Sequence, residues 1–172
     1  MPDIATRLAR ARVPLGFVFA LVVILLARPT PRSVLLGAAV ALVGEMVRVW
    51  AAGHLEKGRE VTRSGPYRLT RHPLYMGSAI IGIGVAIAAA RLSVAVMVLA
   101  YLVATIAAAI RHEEAGMRAR FGDQYDAYLQ SRAQPVDRTF SLERATRNKE
   151  HRAIAGLAIM AAMFGIKAAF RM

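Results

Sequence analysis

Two polar clusters hold the residues able to do chemistry in this chain. The first reads Gly65-Pro66-Tyr67-Arg68-Leu69-Thr70-Arg71-His72-Pro73-Leu74-Tyr75-Met76-Gly77. Pro73 suits the first turn of a helix, where its missing N–H costs nothing. The free amides of that turn, the positive end of the helix dipole, Arg71 and His72 make a place for an anion such as a carboxylate or phosphate. The same residues also suit a basic flank with an interfacial tyrosine, a common way to enter a membrane. The second cluster is Arg111-His112-Glu113-Glu114, followed by Phe121-Gly122-Asp123-Gln124-Tyr125-Asp126-Ala127-Tyr128. Its adjacent carboxylates can accept hydrogen bonds from hydroxyls or amines, and Arg111 can hold a carboxylate bidentately. The alternative is an ordinary solvated helix exit.

Other polar residues are less informative. His54, His72, His112 and His151 show no ligand spacing, and the chain has no Cys, so no metal is expected. Gly116 stands where a zinc-protease motif beginning at His112-Glu113 needs its second His. Glu45 and Arg48 lie three apart in an apolar run and share one helix face. Ionisable groups at that depth are costly, so they are expected to pair with each other or point into a cavity.

The elements that position these clusters follow from composition. The 172 residues are 56% hydrophobic yet carry 23 Lys+Arg against 11 Asp+Glu, a net charge of +12. A soluble domain rarely combines that charge with a mean hydropathy of +0.42. The two sit in separate blocks. Apolar runs at 13–27, 33–52, 74–90, 92–110 and 153–170 are separated by charged segments. At about 1.5 Å per residue, most of these runs approach the thickness of a bilayer core. The expected fold is all-α: a single integral membrane domain over 1–172, a bundle of about five transmembrane helices. Met1–Arg12 extends the short first run as an interfacial turn. A cleaved secretory signal is the competing reading, but no small-residue cleavage site stands convincingly before Arg28.

Charge sets the expected orientation. With the N-terminus in the cytoplasm, 17 Lys/Arg lie on that side, in 1–12, 53–73 and 111–152, against 5 on the other. The C-terminus then lies opposite. No soluble basic domain is left to bind nucleic acid. The third and fourth runs form a tight helical hairpin turning at Ala90-Arg91, which brings 65–73 beside 111–114. Gly77, Gly82, Gly84 and neighbouring Ala residues serve close helix packing. Gly82-Ile83-Gly84 follows no strand and is not a dinucleotide fingerprint.

Arg71-His72-Pro73-x-Tyr75-x-Gly77, followed about 40 residues later by Glu113-Glu114, resembles the signature of the isoprenylcysteine carboxyl methyltransferase and phospholipid methyltransferase superfamily. Gly65-Pro66-Tyr67 looks like that family's lead-in, and Phe121-Gly122-x-x-Tyr125-x-x-Tyr128 like its segment after the paired Glu. The resemblance implies an integral membrane methyltransferase that uses S-adenosylmethionine, releases S-adenosylhomocysteine, and has its pocket at the cytoplasmic helix ends. It implies that His72 and Tyr75 help bind the methionine moiety and that Glu113 or Glu114 contacts the ribose or amino group. Tyr67, Tyr125 and Tyr128 would wall the pocket, while Arg71 and Arg111 orient a carboxylate or phosphate of the acceptor. The acceptor expected is lipophilic or amphiphilic, such as an isoprenyl-type carboxylate. A phospholipid amine or a small thiol is the alternative. A sterol-reductase-like enzyme using NADPH shares a related layout, and a non-enzymatic lipid-binding scaffold is a third reading. Only two helices precede the motif, and Arg132–Arg152 with a fifth helix follows it, departures whose expected role is a plain cytoplasmic anchor or contact with anionic headgroups.

Overall fold

The computed structural model describes residues 16–170, and every regular element among them is a helix. In chain order these are α1 (Gly16–Leu26), α2 (Pro31–His54), a 3-10 turn (Gly65–Arg68), α3 (Pro73–Ala89), α4 (Leu92–Phe121), α5 (Asp123–Leu129), α6 (Leu142–Arg147) and α7 (Glu150–Ala169). By length and composition α2, α4 and α7 can cross a membrane, whereas α1 and α3 are shorter apolar helices. Their outward faces are apolar: Leu35, Val103 and Ile159 are all well exposed, a surface that suits lipid rather than water. The interfacial turn expected over Met1–Arg12 lies outside the described residues.

α2 begins with a capping box in which Thr30 and Ser33 bond each other's backbone amides, with Pro31 in the first turn. Glycine then lets α2 and α3 approach to backbone contact. A Cβ on Gly44 would stand 2.6 Å from Gly77 O, and one on Gly84 would stand 2.5 Å from Gly37 O. The expectation that these small residues serve packing is met.

α3 ends at Ala90, which adopts the left-handed conformation (φ 47°, ψ 36°), and α4 starts two residues later. α4 differs from expectation in length. It runs 30 residues, past Ile110 to Phe121, so Arg111–Glu114 stands on the helix rather than beyond it. Arg, His, Glu and Ala all sustain a helix, and no Pro intervenes before Gly122 (φ 44°) closes it. The chain leaves the apolar layer without leaving the helix.

The apolar core gathers at the end of the bundle far from the polar clusters, where Val23, Ala27, Ala88, Ala89, Val94, Val98 and Phe164 pack together. Long cations cap that end: Arg91 donates to Leu26 O and Lys167 to Ile24 O and Leu25 O.

The basic stretch is more than a plain tether. It is stitched onto the segment after α2. Arg138 grips Glu60 through two N–H···O bonds of 2.6 and 2.9 Å, Arg144 donates to Glu56 at 2.8 Å, and Arg68 reaches across to Asp137 at 2.6 Å. Asn148 donates to Ala52 O and Leu55 O, and the Phe140 ring covers Gly53 so closely that any Cβ there would collide with it. Glu56 and Glu60 give these arginines carboxylate partners, and the strap holds the loop that leads into Tyr67.

Candidate functional site

Residues 65–72 form the first wall. Gly65 takes φ 53°, and the His54 ring lies against it where a side chain would otherwise be. The 3-10 turn then buries Pro66 and Tyr67. Tyr128, on α5, donates its hydroxyl to Tyr67 O at 3.0 Å, and Arg71 donates to Leu129 O at 2.8 Å. These two bonds tie α5 to the loop before α3. Between them opens a cavity of about 450 Å³ lined by Tyr67, Arg68, Leu69, Thr70, Arg71, His72, Tyr128 and Ser131. That volume lies within the roughly 300–1,000 Å³ range of small-molecule sites.

The second cluster reaches the cavity through His72, whose Nε2 lies 3.0 Å from Glu114 Oε1 on α4. The Tyr75 ring packs tilted against His72 with centroids 5.9 Å apart, and Tyr125 packs against Tyr128 at 6.3 Å. Burial raises the Tyr67 phenol well above its ordinary value, reinforced by the charge of Glu113, with Glu150 adding to it. Burial likewise raises Tyr125, with help from Glu114 and Glu113 and opposition from Arg71. Tyr128 is raised by burial against the opposing charge of Arg71. All three phenols therefore keep their protons near neutrality, and that of Tyr128 is already given to Tyr67 O.

Of the residues singled out in the sequence, Tyr67, Arg71, His72 and Tyr128 line the cavity directly. Tyr75 and Glu114 touch it through His72, and Tyr125 through Tyr128. Glu113 acts on Tyr67 and Tyr125 through its charge. Arg111 is exposed one turn before Glu114 and forms no ion pair among the described residues. The anion site expected at the start of α3 is weaker than its sequence suggests. The amides of Tyr75 and Met76 already donate to His72 O. The sequence reading missed Arg68, Thr70 and Ser131, which line the cavity. For Arg68 a signal existed, since it sits inside the Gly65–Gly77 motif. Ser131, in left-handed conformation (φ 56°), had none.

Deeper in the bundle Glu45 and Arg48 form the expected ion pair, at 3.8 Å, but the tighter partner of Arg48 is a residue from another helix. Arg48 donates to both oxygens of Glu150, at 2.6 and 3.0 Å, and its other arm donates to Ser78 Oγ at 2.6 Å. Glu45 stands 3.8 Å away. Spacing on one helix face brought Glu45 near, but the planar guanidinium finds bidentate geometry only with the carboxylate arriving from α7.

Among the described residues no three His, Asp or Glu side chains gather as a metal site. The cavity does suit a polar small molecule. Thr70 and Ser131 line it beside the tyrosines, and the Glu114 carboxylate stands behind His72.

No curated protein and no solved structure matches this chain. A family model described as phospholipid methyltransferase does match, over residues 33–124. The matched stretch starts in the first turn of α2, takes in Gly65–Gly77, Arg111–Glu114 and the His72–Glu114 contact, and ends in α5 before Tyr125 and Tyr128. Covering more than half of the sequence, it joins the motif resemblance in saying that the chain belongs to the phospholipid methyltransferase family.

Proposed function

We propose that this protein is an integral membrane methyltransferase that uses S-adenosylmethionine to methylate an amphiphilic acceptor, with its cavity facing the cytoplasm. The observation that carries the reading is the His72–Glu114 contact, which lies inside the segment that matches the family and beside a cavity walled by Tyr67 and Tyr128. S-adenosylmethionine, when bound, supplies an electrophilic methyl group on a sulfonium. His72 and Tyr75 hold its methionine end, Glu113 and Glu114 accept hydrogen bonds from its amino or ribose groups, and Tyr67, Tyr125 and Tyr128 wall it from water. Methyl transfer asks little more of a protein than alignment in a dry site. No nucleophile on the chain is needed.

Arg71 and Arg111 are assigned to an anionic group of the acceptor, with Arg68 added because it lines the same cavity. A phospholipid amine now stands ahead of an isoprenyl-type carboxylate as acceptor, because the matching family is described by its phospholipid chemistry. Membrane lipid is thus both the solvent of the helices and the source of the substrate.

Calorimetric titration of the purified protein tests the reading. Saturable binding of S-adenosylmethionine, and none of NADPH, is expected. A folded sample that binds NADPH instead, or neither molecule, overturns it.

A further inference from the structure

We infer that Glu45 is the group that receives the amine of a lipid acceptor. This rests on the methyltransferase reading and adds a residue and a ligand chemistry to it. Glu45 is buried in α2, and neither of its carboxylate oxygens has a hydrogen-bond partner. A buried carboxylate with no donor is among the costliest arrangements a fold can keep. Protonation does not remove the deficit, since the resulting hydroxyl would need an acceptor and neither oxygen has a partner of either kind.

The neighbouring cation does not satisfy it either. Arg48 directs Nε and one terminal nitrogen to Glu150 and the other terminal nitrogen to Ser78. It lends Glu45 charge from 3.8 Å but no hydrogen bond. The cluster therefore presents one carboxylate in need of donors next to a guanidinium already committed. A group with N–H donors and positive charge fits this. An anionic head is repelled by Glu45 and Glu150 together, and a quaternary ammonium has no N–H to give.

Location points to a lipid. Glu45 stands one turn along the same face of α2 as Ala41, where an apolar cleft between α2, α3 and α7 ends against Leu157. The cleft is about 20 Å³, room for little more than one water. α7 buries only Glu150, Phe164 and Ala168, so between its two ends it is lightly held against α2. A lipid head entering that seam meets apolar walls along its length and a carboxylate at its end. Glu150, which clamps Arg48, bears on the Tyr67 phenol of the cavity wall through its charge alone.

The test uses the full chain in detergent, with short-chain phosphatidylethanolamine, phosphatidylcholine and phosphatidylglycerol as probes and thermal stabilisation as readout. Phosphatidylethanolamine should stabilise the wild type more than the other two. Glu45→Gln should weaken that apparent affinity about tenfold, the loss expected for a charge-assisted bond, with S-adenosylmethionine affinity held within about twofold. Glu45→Met repeats the measurement should the Gln variant misfold. Equal responses to the three lipids, or an unchanged phosphatidylethanolamine response in the variants, overturn the proposal. So does an equal loss of S-adenosylmethionine affinity. A wild type that binds phosphatidylethanolamine through Glu45 but no S-adenosylmethionine sinks the methyltransferase reading and leaves the amine site standing.

Discussion

His72 Nε2 lies 3.0 Å from Glu114 Oε1, although 42 residues separate the two in sequence. The contact joins the residue that opens α3 to the polar extension of α4, and it closes the mouth of the cavity on one side. Both side chains are partly exposed, so the pair is worth little to stability, under about 1 kcal/mol. His72→Ala should weaken S-adenosylmethionine binding by about tenfold while shifting the melting temperature little. Calorimetry and thermal unfolding on the same samples check the split. Equal losses in both would mean that the contact only holds the fold.

Tyr128 and Tyr67 give a second prediction. Tyr128→Phe keeps the ring and deletes the hydroxyl that bonds Tyr67 O. One neutral hydrogen bond is worth about 1 kcal/mol. Chemical denaturation should show a loss of that order, and proteolysis should cut the loop at 65–72 faster.

Gly44 and Gly116 differ in what surrounds them. Gly44→Ala places a Cβ 2.6 Å from Gly77 O and 2.8 Å from Ile81 N, backbone atoms that cannot step aside. Overpacking of this kind costs about 1–3 kcal/mol, more than the roughly 1 kcal/mol of helix propensity gained. Gly116→Ala meets nothing within 4 Å and should stabilise α4 slightly. Opposite signs in thermal melts are the expected result.

Arg48 and Glu150 form a bidentate pair with side chains 20% and 6% exposed. Glu150→Ala leaves the guanidinium without its bidentate partner and should cost about 3 kcal/mol. Arg48→Met combined with Glu150→Leu should recover most of that loss. Thermal unfolding of the single and double variants decides it.

Glu56 sets an acid limit on the strap. The hydrogen bond from Arg144 holds its carboxyl below the ordinary value, against a smaller opposing effect of burial, with the charges of Arg144, Arg147 and Arg138 helping to lower it. A group depressed in the folded state contributes stability that is present above its unfolded value and is lost as pH falls through the folded one. Melting temperature should therefore drop between about pH 5 and pH 3, and Arg144→Ala should flatten that drop. An unchanged acid slope in the variant would show that other carboxylates set it.

The sequence by itself determined the helical class, the apolar runs and the two polar motifs, because hydropathy and Pro/Gly punctuation act locally. Pro73 and the αL turn at Ala90 fixed where α3 starts and stops, within a residue of the run that announces it. The family could also be read from Arg71 to Glu114, since its residues lie in two short ordered strings. Tertiary structure decided what no local pattern encodes. Side-by-side placement of α3 and α4 turned Glu114 toward His72. Arg48 keeps Glu45 at 3.8 Å but gives its hydrogen bonds to Glu150, 102 residues distant, because only α7 delivers a carboxylate in bidentate register. The same holds for the arginines of 132–152, whose positive charge was plain in the sequence. Their purpose as a strap depended on Glu56 and Glu60 waiting across the loop.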